Sequence, residues 1–129
     1  HPKPPLIACL ATANRERRQE LEAAGARLIS LPASPEGRVS LPALLERLRQ
    51  LGIETLMVEG GARVITSFVR EKLADALAIT VRPTLVGGLQ AIEGLEPEKL
   101  ERLPAINDPG WGAFGSDLMV WGEIVWPAQ

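Results

Sequence analysis

The chain has 129 residues, 46% of them hydrophobic, 23% charged and 4% aromatic, with a formal net charge of −2. This length suits a single domain, residues 1–129, able to bury about two-thirds of its unfolded surface, and it excludes a large multidomain architecture. No apolar run is long enough to cross a bilayer and the charges are interspersed, so a soluble globular protein is expected, with no electrostatic footprint for nucleic acid or an anionic membrane.

The opening HPKPP lacks an initiator methionine and has none of the form of a signal peptide, which reads as a fragment or a processed product. Residues 6–11 (LIACLA) read as a short buried strand. Its Cys9 is the only cysteine, so it has no partner for an internal disulfide and is expected to pack as a small hydrophobe in a reducing cytoplasm. One cysteine and one terminal histidine also argue against a structural zinc site; no metal is expected. Asn14 is placed to cap a helix over residues 15–24, which Gly25 ends. A second strand, 27–31 (RLISL), leads into the turn-rich PASPEGR. Ser40 then caps a second helix whose Leu41, Leu44, Leu45, Leu48 and Leu51 recur at the three-and-four spacing of one buried face.

Gly52 closes that helix, and residues 55–58, apolar after Thr55, read as a third strand of the kind covered on both faces in a parallel sheet. After Glu59-Gly60-Gly61 a helix is expected over 62–73, with Val64, Ile65, Phe68 and Val69 on one side and Arg70, Glu71 and Lys72 toward its exposed end. Residues 76–81 form a fourth strand, stopped at Pro83, with LVGG as the exit. Residues 90–105 read as loop with one helical turn at 97–102, and INDPGWGAFGSD as turn chemistry. The last stretch, 118–126 (LMVWGEIVW), suits a closing antiparallel strand at the sheet edge. Alternating strands and helices imply right-handed crossovers and a layered α/β domain with a mostly parallel sheet. Trp111, Trp121 and Trp126 are expected in the core or at a subunit interface, since no basic stripe accompanies them as in a base-stacking surface.

The EGG junction lies at the carboxyl end of an expected parallel strand, where open α/β sheets bind ligands. Glycine lets a ligand approach the backbone, and the first turn of the next helix presents unpaired N–H groups that suit a diphosphate. Each charge-assisted hydrogen bond there contributes about 1.5–3 kcal/mol, against about 0.3–1 kcal/mol from the helix dipole, so the directed amides matter more. A carboxylate beside a phosphate repels it, so Glu59 should face another group, such as sugar hydroxyls or ring N–H groups. The pattern alone leaves a second reading open, a plain turn with Glu59 capping an amide or pairing with an arginine. It is neither a GxGxxG fingerprint nor a phosphate loop. Arg15, Arg17 and Arg18 could meet an adenosine 2′-phosphate but read as a solvated helix face.

The run TLMVEGGARVITSFVREKLADALAITVRPTLVGG resembles the reductase domain of the bifunctional riboflavin-biosynthesis deaminase-reductase, which has a dihydrofolate reductase-like fold. The elements that carry the resemblance are Val58-Glu59-Gly60-Gly61, Phe68, Leu73-Ala74-Asp75-Ala76-Leu77, and Pro83-Thr84-Leu85-Val86-Gly87-Gly88. Upstream, RRQELEAAGARLISLP resembles the family's second helix and strand, and GSDLMVWGEI its closing strand. The resemblance implies a three-layer α/β domain with a mostly parallel central sheet and an antiparallel C-terminal edge. It also implies NADPH-dependent reduction of the ribosyl group of 5-amino-6-(5-phosphoribosylamino)uracil to ribityl. By the family motif Glu59 contacts the substrate sugar, while Gly60, Gly61, Ala62, Arg63, Val64, Ile65, Thr66 and Ser67 hold the cofactor diphosphate; no general acid is assigned. The resemblance covers about the C-terminal two-thirds of the family's domain, so its N-terminal strands, with further substrate and nicotinamide contacts, are expected to be missing. The zinc-binding deaminase portion is expected to be missing too. Raw sheet edges of that kind predict a homodimer, or a partner segment that supplies strands. The alternatives are a non-catalytic nucleotide-binding or assembly remnant, and a related reductase acting on a pterin-like heterocycle.

Overall fold

The computed structural model describes residues 3–85, 92 and 103–127. They gather into two compact units, His1–Met57 and Val58–Gln129.

In the first unit β1 (Leu6–Leu10) and β2 (Arg27–Leu31) pair in parallel, Leu6 opposite Arg27 and Leu10 opposite Leu31. The crossover between them is α1 (Arg15–Ala23). Asn14 caps α1 as its sequence position demands, its Oδ1 accepting the Arg17 N–H at 2.9 Å, and Gly25 leaves the helix at φ +89°. Arg18 donates to Ser30 Oγ at 2.8 Å and so ties α1 to β2, while Arg17 pairs with Glu20 on the surface. Arg15 and Arg17 are exposed, as a solvated face requires. After a turn closed by an Ala33 to Val39 bridge, Ser40 Oγ accepts the Ala43 N–H at 3.4 Å and opens α2 (Leu41–Gln50). Ile29, Leu31 and Leu48 are the buried residues of this unit. On the outer face of α2, hydrogen bonds from Arg49 and Gln50 hold the Glu46 carboxyl below its ordinary range.

Two expectations change here. The segment 6–11 is a strand only to Leu10, and that strand is half-buried throughout, Cys9 included. A strand laddered along one edge in a two-stranded sheet keeps part of its surface. Residues 55–58 form no strand: 53–61 carries no ladder, and Leu56 and Met57 are 43% and 80% exposed. An apolar run becomes a strand only when a neighbour accepts and donates its backbone hydrogen bonds.

The second unit opens with α3 (Ala62–Arg70), followed by β3 (Ala76–Val81), β4 (Ala105–Phe114) and β5 (Asp117–Val125). Helix α3 stops three residues before the expected end, and it buries Thr66, Phe68 and Val69 while Val64 stays 46% exposed. Thr66 and Val69, three residues apart, form the buried stripe with Phe68 beside them, and Val64 falls outside it. The strands order as β3-β5-β4 with antiparallel pairing throughout. The parallel arrangement therefore holds for β1 and β2 alone among the described strands, and the C-terminal strand is the middle of its sheet rather than an edge.

INDPGWGAFGSD is also largely strand. Its turn-forming residues mark a bulge, where the register shifts between Asn107 and Gly110 and Asp108 takes φ +40°. The true turn is Gly115-Ser116, with Gly115 at φ +64° joining paired Phe114 and Asp117. A glycine in the first place of a two-residue hairpin loop matches the twist of the flanking strands. Trp111 is 74% exposed and Trp121 40%, so neither is a core residue. The helical turn expected at 97–102 and residues 86–88 of LVGG lie outside the described residues. No described helix is long and apolar enough to cross a membrane.

Trp121 lies across Gly110 so closely that an added Cβ would meet its Cε2 and Nε1 at 2.5 Å. Gly110→Ala is expected to cost about 1–3 kcal/mol, as overpacking does, and to lower the urea midpoint. Gly112→Ala would bring its added carbon into ordinary contact with Phe114 at 3.4 Å and should change it much less. Equal midpoints for the two variants would show that Trp121 shifts freely.

Candidate functional site

All the residues expected to bind ligand lie on one continuous stretch, Glu59 to Ser67, at and within the start of α3. Helix α3 begins without a side-chain cap: Gly61 is its N-cap at φ −66°, ψ 165°, and no side chain accepts from the first turn. The first intrahelical bonds come from Val64 and Ile65, both donating to the Gly61 carbonyl, at 3.0 and 3.3 Å. The N–H groups of Ala62 and Arg63 have no acceptor among the described residues. They are two of the orphan donors that every helix start leaves.

The two glycines differ in what they permit. A Cβ on Gly60 would press on Val64 Cβ at 3.0 Å, so packing of the helix start already favours glycine there. A Cβ on Gly61 would meet nothing within 4 Å, and its φ suits any residue. Gly61 thus leaves open space in front of free amide donors, and neither backbone conformation nor packing accounts for it. Ala62 and Arg63 N–H border that space, donors of the kind that receive anions at helix starts.

Glu59 is exposed and has no hydrogen bond or ion pair among the described residues. Among the described residues it neither caps an amide nor pairs with an arginine. Arg63 is exposed as well; its carbonyl accepts from Ser67 Oγ at 3.0 Å. Thr66 is buried and faces the interior, and Val64 to Ser67 supply the turn that holds the open amides in line. Among the described residues no three His, Cys, Asp or Glu side chains are grouped to hold a metal ion.

A family profile described as the RibD C-terminal domain matches residues 1–120, across both compact units. The chain belongs to this family. A 2,5-diamino-6-ribosylamino-4(3H)-pyrimidinone 5′-phosphate reductase from Aquifex aeolicus is 35% identical over 125 residues, 95% of this chain and 54% of the relative. The riboflavin biosynthesis protein RibD of Bacillus amyloliquefaciens is 33% identical over 118 residues, 89% of this chain and 31% of that protein. The chain thus spans about half or less of the length of these relatives.

Two solved structures share the fold. The Saccharomyces cerevisiae riboflavin biosynthesis reductase Rib7 superposes with TM-score 0.68 at 21% identity, covering 95% of this chain and 52% of Rib7. Acinetobacter baumannii RibD does so with TM-score 0.72 at 19% identity, covering 93% of this chain and 37% of RibD. The RibD C-terminal domain family membership and these likenesses make the fold dihydrofolate reductase-like α/β.

Gly61→Ala tests whether the glycine serves the fold. Alanine caps a helix less well than glycine, by a few tenths to about 1 kcal/mol, while it lowers the entropy of the unfolded chain by a comparable amount. The thermal midpoint should therefore stay within a few degrees of the parent, and a large drop would mean that the fold itself requires Gly61.

Proposed function

We propose that residues 1–129 act as one reductase domain of riboflavin biosynthesis, using NADPH to reduce the ribosyl group of a phosphoribosylaminopyrimidine to ribityl. The observation that carries this reading is the open start of α3 at Gly61, with an unpartnered Glu59 two residues before it. Family membership and the names of the relatives support it. The substrate expected from the sequence is 5-amino-6-(5-phosphoribosylamino)uracil. The Aquifex aeolicus relative is named for a diaminopyrimidinone that also carries a ribosylamino 5′-phosphate. A carboxylate directed at sugar hydroxyls suits either ring.

In this mechanism the residues of the chain bind and orient. Ala62 and Arg63 donate backbone N–H groups to the cofactor diphosphate, Gly60 and Gly61 keep the approach clear, and Val64, Ile65, Thr66 and Ser67 fix the helix behind them. Glu59 accepts hydrogen bonds from the sugar and so sets the reacting carbon in place. A nicotinamide held there would supply the hydride, and with one proton from solvent this would balance the two-electron reduction.

The association expected from the sequence belongs to the same proposal: a cytoplasmic homodimer, or a complex with a segment that supplies strands. It is supported by the ladderless segment 53–61 and by the apolar side chains that β3, β4 and β5 leave exposed. A second reading, a nucleotide-binding module without turnover, is favoured by that same ladderless segment.

Calorimetric titration with NADPH decides among these. The chain should bind it, and Gly61→Asp, which adds a side chain and a negative charge, should bind at least about a hundredfold more weakly. That is the loss of two charge-assisted hydrogen bonds of about 1.5–3 kcal/mol each. Equal affinity would overturn the cofactor assignment, and NADPH binding with no turnover of the pyrimidine would favour the second reading.

Glu59→Gln should leave NADPH affinity unchanged and raise the KM for the phosphoribosylaminopyrimidine. If it weakens NADPH alone, Glu59 serves the other ligand. Sedimentation should show a dimer or larger species at micromolar concentration; a well-folded monomer would count against the association.

A further inference from the structure

We draw no further inference here: the strongest candidate, the apolar face that Ile79, Val81, Trp111 and Leu118 leave exposed on the β3-β5-β4 sheet, belongs to the association already proposed, and nothing in the structure shows what covers it.

Discussion

The function proposed for this chain depends on the amides at the start of α3 that no group among the described residues satisfies. A helix begins with donors that have no intrahelical acceptor, and a side chain at the N-cap normally takes one of them. This chain does so twice, with Asn14 before α1 and Ser40 before α2. At α3 it places Gly61 instead, forgoing about a few tenths of a kcal/mol of capping in exchange for free donors and room in front of them. An incoming anion that accepts from those donors recovers more than the missing cap, because hydrogen bonds to a charged group are the stronger kind.

In the proposed site the same electrostatics keep Glu59 from sharing that anion. Two like charges about 4 Å apart repel by about 1 kcal/mol in bulk water and about 4 kcal/mol near a protein surface, enough to offset what the directed amides contribute. A carboxylate tolerated two residues from such a site has to point at something neutral or hydrogen-bond donating. Sugar hydroxyls meet that condition, and they are what a ribosylamino substrate brings. Under the proposed function, the short EGG sequence would separate two ligands by sign: amide donors toward the phosphates, a carboxylate acceptor toward the hydroxyls.

The parts of the fold that could be read from sequence are those fixed by local chemistry. The cap residues Asn14 and Ser40, the positive-φ helix exits at Gly25 and Gly52, and the boundaries of β2 and β3 follow from residues within one turn of each feature. What failed to show depends on partners distant in sequence. Residues 55–58 have the composition of a central strand but no ladder, and nothing within the segment reveals that. The pairing of β3 with β5, which makes the C-terminal strand central, is likewise invisible in the periodicity of either strand. The hairpin between β4 and β5 was legible in principle, because Gly115-Ser116 between two apolar runs is a two-residue turn. The denser turn residues of Asn107 to Gly110 masked it, although they mark only a bulge.

At the candidate site the division is the same. Glu59 and the glycine pair stand out in the sequence, although glycine is also an ordinary residue at a helix start, whereas the burial of Thr66 in place of Val64 depends on the phase of the stripe that ends at Val69. The remaining link runs through the segment that precedes Glu59. Side chains alternate faces along a strand, so a ladder on residues 55–58 would fix the direction in which the next carboxylate points. Without that ladder Glu59 sits outside any strand, next to the start of α3. Under the proposed association, completing the sheet and aiming Glu59 at the sugar become one event, while the amides at Gly61 are ready without it. Cofactor binding then requires less of the assembly than substrate binding does.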